Sequence, residues 1–209
     1  MRRYDVVLFD LLTALLDSWS LWNAVAGDED AGRRWRLTYL RMTYDAGAYR
    51  PYEDLVSEAA ETAGLDYSLA SDLAARYDEL EPWPDVVPVL AELAAARIPL
   101  GVVTNCSRRL GLIAAERVGM EFAHILTAED AGWYKPDVRP YRKALEMFGV
   151  VPARCLFVAG SAYDLFGTAK IGLPTFWHDR IGMTAPTGAP PPLAHKPNLL
   201  ELPTSCGIR

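Results

Sequence analysis

Six polar residues stand at the ends of short apolar runs in this chain. Asp10 follows the run Tyr4–Phe9, Thr104 and Asn105 close Pro99–Thr104, Lys135 follows Ala123–Thr127, and Ser161 and Asp164 follow Arg154–Ala159. A carboxylate can act as a nucleophile, and a cation within ~4–6 Å keeps it ionised. Taken singly, an Asp after a strand is ordinarily a cap or turn residue, and a Lys before Pro is a solvated loop residue. Taken in order, they belong together, because the ends of parallel strands open onto one crevice. Other chemistries lack their residues. There is no GxGxxG or GxxxxGK[ST], and Ser161 lies between Ala159 and Tyr163 rather than the glycines of a nucleophile elbow. Cys106, Cys155 and Cys206 form no CxxC pair and no zinc spacing, which fits a reducing compartment. His178-Asp179, with only His124 and His195 for company, reads as a surface turn after the last strand rather than a metal pair.

The elements that must hold these residues follow from periodicity. The four runs above, with Leu173–Trp177, are brief, apolar and bounded by charge, Gly or Pro, as buried parallel strands are. Helical patterns separate the last four: Ser107–Val118, Asp137–Phe148 and Tyr163–Ile171, each stopped by a glycine, the first two opened by a capping Ser or Asp. This alternation predicts an α/β fold, a doubly wound parallel sheet. Between the first two strands lie Ser18–Ala26, Glu29–Ala46, Tyr52–Gly64, Ser68–Leu80 and Asp85–Arg97. The last of these is the crossover. The other four predict an all-helical cap over 17–81, inserted after the first strand, with the core formed by 1–16 and 82–209.

Composition narrows the partners. Hydrophobic residues make up 51% of the 209 and charged ones 23%, enough to build a core and a pocket. With 21 basic and 27 acidic residues the net charge is −6, the wrong sign for a non-specific nucleic-acid binder. Asp10 interrupts the only N-terminal stretch that resembles a secretory leader, and no apolar run reaches the ~18 residues of a membrane span. A cytoplasmic protein without membrane or nucleic-acid partners is expected.

The series Phe9-Asp10, Thr104-Asn105, Tyr134-Lys135-Pro136-Asp137, Phe157-Val158 and Asp164 resembles the four motifs of the haloacid dehalogenase superfamily. The resemblance spans essentially the whole chain, the cap included, and is closest to the L-2-haloacid dehalogenase branch. Trp35-Arg36 in the cap and Tyr141 after the motif-three lysine look like that branch too. The resemblance implies a Rossmann-like core and a metal-independent hydrolase acting on a small carboxylate substrate. In the implied scheme Asp10 displaces halide from C2 of a 2-haloacid, and water then hydrolyses the ester. Thr104 holds the substrate carboxylate, Lys135 keeps Asp10 ionised, Asp164 orients Lys135 or the water, and Arg36 receives the halide. Leu12, Tyr52, Asn105, Tyr141 and Ser161 are expected to contact substrate, and a homodimer is implied. Periodicity alone does not choose Arg36 over Arg33, Arg34 or Arg41; only the resemblance does.

The departures are specific. The branch reads Asp-x-Tyr-Gly-Thr-Leu at motif one and Ser-Ser-Asn-x-Trp-Asp at motif four. Here these are Asp10-Leu11-Leu12-Thr13-Ala14-Leu15 and Ala159-Gly160-Ser161-Ala162-Tyr163-Asp164. Thr13 and Ser161 are the groups left to compensate for the missing Thr, Ser and Asn. Two alternatives stay open: a phosphatase of the same superfamily, which would need Mg²⁺ and an acid where Leu12 stands, and a non-catalytic relative that only binds.

Overall fold

The structure is a computed structural model that describes residues 2–208. Strands β1 (Val6–Phe9), β2 (Leu100–Thr104), β3 (His124–Thr127), β4 (Cys155–Ala159), β5 (Thr175–His178) and β6 (Ala194–Lys196) form one sheet. All pairings are parallel, in the order β3-β2-β1-β4-β5-β6. Both faces of β1 are covered: Val7 and Phe9 join one hydrophobic layer, Val6 and Leu8 the other. A strand buried on both sides shows a continuous apolar run instead of alternation, hence its sequence Val-Val-Leu-Phe. Phe9 lies level with Val102 and Val158, and the Asp10 N–H donates to the Val158 carbonyl at 2.9 Å. Asp10 therefore emerges at the carboxyl edge where the strand order reverses, the usual place for a ligand site.

Helices α1 (Ser18–Ala26), α2 (Glu29–Ala46), α3 (Tyr52–Thr62) and α4 (Leu69–Ala75) come between β1 and the crossover helix α5 (Val86–Ala95). Both α1 and α2 have the ends that the sequence predicts, because Asp17 and Asp28 accept from N–H groups of the first turns and glycines follow. The predicted helix Ser68–Leu80 is in fact split into α4 and a 3₁₀ turn at Tyr77–Glu79. The chain leaves and re-enters the sheet layer side by side. Leu16 and Pro82 form an antiparallel bridge, and the Asp17 N–H donates to Glu81 at 2.8 Å. Packing does not stop at that ribbon: Trp22, Trp35, Tyr39 and Tyr52 share a cluster with Phe9, Val102 and Cys106.

Between the later strands come α6 (Arg108–Arg117), the short α7 (Ala128–Ala131), α8 (Val138–Phe148) and α9 (Asp164–Lys170). A last turn, α10 (Leu202–Ser205), ends the described part. Two expectations are corrected. Ser107 precedes α6, but its hydroxyl donates to Glu53 at 3.0 Å instead of capping the helix. His178-Asp179 is not a surface turn: both residues are buried, because the Pro-rich tail adds β6 and makes β5 an inner strand. No helix among the described residues is long and apolar enough to cross a membrane.

Candidate active site

The turn after β1 folds back on Asp10. Its Oδ2 accepts from the Thr13 N–H at 3.1 Å, the Thr13 hydroxyl at 2.6 Å and the Ala14 N–H at 3.3 Å. Its Oδ1 accepts from a single donor, the Lys135 ammonium at 2.8 Å. The two oxygens are thus inequivalent: one is cradled by three donors, the other is paired with one charge.

Lys135 reaches this point from a loop beyond β3. Asn105, just past β2, holds that loop by a reciprocal pair: its amide donates to the Lys135 carbonyl at 3.0 Å, and its oxygen accepts the Lys135 N–H at 2.8 Å. The Lys135-Pro136 peptide is cis. Gly167 in α9 makes room for this loop, since a Cβ there would overlap the Pro136 carbonyl. The close approach brings Asp164, the first residue of α9, to 3.2 Å from the ammonium. Tyr141 on α8 donates to the same Asp164 oxygen at 2.6 Å.

One buried lysine therefore serves two buried carboxylates. Burial alone pushes Asp10 up, but Lys135 and the Thr13 donors outweigh it and hold Asp10 below the usual carboxylate range. For Asp164, burial and the neighbouring Asp10 charge win over Lys135 and Tyr141, so its carboxyl lies above that range. Burial pulls Lys135 down, while the two carboxylates more than offset this and raise it.

Helix α2 supplies another part of the wall. Arg36, Leu40, Thr43 and Tyr44 all line the cavity, at the i, i+4, i+7, i+8 spacing of one helix face. Arg36 is 1% exposed, whereas Arg33, Arg34 and Arg41 are exposed. Its Nη2 donates to the Ser18 hydroxyl at 3.0 Å, but Nε and Nη1 have no partner. No carboxylate among the described residues pairs with it. Aromatic faces surround it instead, Trp22 at 4.8 Å, Tyr39 at 5.4 Å and Trp19 at 5.7 Å from the guanidinium carbon. Leaving two donors of a buried guanidinium unmet costs ~1–3 kcal/mol each.

Asp10, Leu12, Arg36, Thr104, Asn105, Lys135, Ser161 and Asp164 all line this one cavity. Its volume is about 40 Å³, where a single water needs ~10–15 Å³, so only a small ligand fits without movement. The Thr104 hydroxyl makes only a 3.4 Å contact to the Cys106 sulfur, which leaves it available to a ligand. Two expected substrate contacts are corrected. Tyr52 lies behind Tyr39, its hydroxyl on Tyr77. Tyr141 lies behind Asp164, fully buried against Phe157. Asn105 lines the cavity while its side chain holds the Lys135 backbone through one amide N–H and its oxygen. Burial pushes the Cys106 thiol up to about 12, which makes it a packed residue. Thr43, Tyr44 and Tyr163 were not anticipated as lining residues, although the stripe running on from Arg36 along α2 carries the first two.

A resident Mg²⁺ does not suit this donor set. The Lys135 ammonium already stands between the two carboxylates, and Leu12 and Gly160 offer no further one. Among the described residues no group of three or more His, Cys, Asp or Glu could hold a metal ion. Gly160 is glycine for a steric reason: a Cβ there would overlap Thr13 Oγ1, Thr13 C and Ala14 N. The hydroxyl on residue 13 fills the space of a side chain on residue 160. Gly160→Ala is accordingly expected to destabilise the fold by ~1–3 kcal/mol and to disturb the Asp10 cradle. Urea unfolding beside a rate measurement checks this; an unchanged midpoint and rate would contradict it.

A family model described as haloacid dehalogenase-like hydrolase matches residues 4–172. The chain is 30% identical over 210 residues to (S)-2-haloacid dehalogenase 4A of Burkholderia cepacia, covering 93% of this chain and 90% of that one. It is 28% identical over 198 residues to (S)-2-haloacid dehalogenase H-109 of Pseudomonas putida, covering 87% and 88%. A crystal structure of an L-2-haloacid dehalogenase superposes with a TM-score of 0.85 at 26% identity, over 98% of this chain and 99% of that one.

Proposed function

Since the chain belongs to the haloacid dehalogenase-like hydrolases, we propose that it hydrolyses the carbon–halogen bond of a small 2-haloacid through an ester on Asp10. The observation that carries this reading is Arg36, a buried cation with two unmet donors that lines the same small cavity as the depressed-pKa carboxylate of Asp10. An ionised nucleophile and a waiting anion receptor are what displacement of a halide requires. No acid is needed for the leaving group, and Leu12 supplies none.

In the first step Asp10 Oδ1 attacks C2 with inversion, and the bonding electrons depart with the halide towards Arg36. In the second, water adds to Asp10 Cγ, and the carbonyl oxygen that becomes an oxyanion is Oδ2. The Thr13 N–H, its hydroxyl and the Ala14 N–H already point at that oxygen, the arrangement that stabilises such an intermediate. Collapse breaks the Cγ–O bond to the product and restores the Asp10 carboxylate. One water proton ends on the 2-hydroxy acid. The other leaves to solvent, with Asp164, pushed upward in pKa, as the basic group on its way. Thr104 and Ser161 bind the substrate carboxylate, while Asn105 and Tyr141 position Lys135 and Asp164. Residues 17–81 act as the cap that brings Arg36 to the core. A cytoplasmic homodimer goes with this reading on the strength of the family resemblance.

The test is halide release from L- and D-2-chloropropionate, with and without EDTA, beside p-nitrophenyl phosphate. Release from one enantiomer, insensitive to EDTA, is expected. Metal-dependent phosphate release without halide would assign the chain to phosphoryl transfer instead. Replacing the receptor probes the same reading. Arg36→Gln should lower kcat/KM by ~10²–10³-fold, as for loss of a transition-state donor, and more for chloride than for bromide. The poorer leaving group depends more on the charge that receives it. An equal loss for both halides would remove Arg36 from the leaving-group role.

A further inference from the structure

The N–H groups of Thr13 and Ala14 that reach Asp10 Oδ2 each belong to a peptide plane with a carbonyl at its other end. Side chains outside the cavity lining grip both carbonyls. Leu12 O, on the plane whose N–H is that of Thr13, accepts a short hydrogen bond from the Ser18 hydroxyl. Thr13 O, on the plane whose N–H is that of Ala14, accepts from the Trp83 indole N–H at 3.2 Å. Ser18 accepts in turn from Arg36 at 3.0 Å. A continuous donor chain thus runs from the Arg36 guanidinium through Ser18 and the Leu12–Thr13 peptide to Asp10. From β5, His178 continues the pattern, its Nδ1 donating to Ala14 O at 2.8 Å.

From this geometry we infer that Ser18 and Trp83 are positioning residues for the second step of the reaction, hydrolysis of the Asp10 ester. Gripping a peptide carbonyl fixes the plane's orientation. It also polarises the plane, so that the N–H at the other end becomes a stronger donor. Ser18 is the last link of a chain that begins on a charge, and charge-assisted bonds are the strong ones.

The two steps respond with opposite sign. While the ester forms, negative charge leaves the Asp10 oxygens, so donors on Oδ2 favour the starting carboxylate and do not speed the attack. While the ester is hydrolysed, charge builds on Oδ2, and the same donors lower the barrier. Weakening the grip should therefore slow hydrolysis selectively. A residue with a merely structural role would lower both rates together or neither.

The inference rests on the ester mechanism proposed above, and the experiment separates the two. Rapid-quench single turnovers with L-2-chloropropionate give halide release as the rate of the first step. Intact-protein mass spectrometry of the same samples gives ester decay as the rate of the second. Ser18→Ala and Trp83→Phe are compared with wild type. The tryptophan variant removes an N–H, keeps an aromatic ring and leaves Arg36 untouched, so it stands if loss of Ser18 perturbs the anion receptor or the fold.

The expected result is ester decay slowed about tenfold in each, less than the ~10²–10³-fold of a direct donor, with halide release unchanged or slightly faster. Equal slowing of both steps, or undisturbed ester decay in Trp83→Phe, would overturn the assignment of these residues. Absence of halide release by wild type would instead overturn the dehalogenation reading itself.

Discussion

Asp10→Asn is expected to release halide at below ~10⁻⁴ of the wild-type rate, as loss of a covalent nucleophile entails, and to remain folded. The amide can still accept from Thr13 and Ala14, and Lys135 keeps its pairing with Asp164 at 3.2 Å. What disappears is the anionic oxygen that forms the bond to C2. A second measurement on the wild type tests the same point without a mutation. With enzyme in excess and ¹⁸O-water as solvent, the first turnover should place the label in Asp10 and leave the 2-hydroxy acid unlabelled. The product hydroxyl comes from Asp10 Oδ1, and water attacks Cγ, not C2. Label in the first-turnover product would mean that water displaces the halide directly, with Asp10 as its base.

Lys135→Met should produce the second large effect, on stability and pH response together. The substitution keeps the length of the side chain and removes the one cation that, among the described residues, pairs with the two buried carboxylates. Breaking a buried pair in this way costs ~3–5 kcal/mol. The pH dependence has a definite sign. In the wild type Asp10 lies below the usual carboxylate range, so it stays ionised until the pH falls beneath that range. The stability it contributes is complete above its unfolded value and is lost as pH falls from there through the lower folded one.

Lys135 is raised, so its contribution is complete below its unfolded value and disappears as pH rises through the higher folded one. Without the lysine, burial acts on Asp10 unopposed. The acid limb of halide release should then move up by about 1–3 pH units, and the variant should become more stable, not less, towards acid as its carboxylates protonate. Rate profiles and urea unfolding across the acid range measure both. An acid limb that stays where it was would show that Lys135 does not hold Asp10 ionised.

Much of this site is legible before any coordinates. Asp10, Lys135 and Asp164 can be found because each follows a brief apolar strand, and parallel strands deliver their carboxyl ends to one edge. The ends of α1 and α2 are equally plain, since Asp17 and Asp28 accept from the first turn of each helix and Gly27 donates back to Ala24, all within a few residues. Choosing Arg36 among four arginines is different. Periodicity places them on one helix but does not say which face meets the cavity, and the choice rests on the resemblance of Trp35-Arg36 to a family pattern.

Depth was the property that sequence reasoning misjudged. Tyr52 and Tyr141 have the size and polarity of pocket residues, yet each stands one layer behind the cavity, bonded to Tyr77 and Asp164. Asn105 does line the cavity, and it also holds the Lys135 backbone through one amide N–H and its oxygen. His178 is buried because β6, drawn from a Pro-rich tail with little strand character, covers β5.

By itself, then, the sequence determined the α/β alternation, the helical insertion and the order in which the reactive residues come to the sheet edge. These depend on apolar periodicity and on caps, which are local. Only the tertiary structure decided that Thr13 fills the space above Gly160, that one lysine bridges two carboxylates, and that Arg36 keeps two donors unmet. Each of these is a matter of a few ångströms between segments far apart in the chain, and no local signal encodes such a distance.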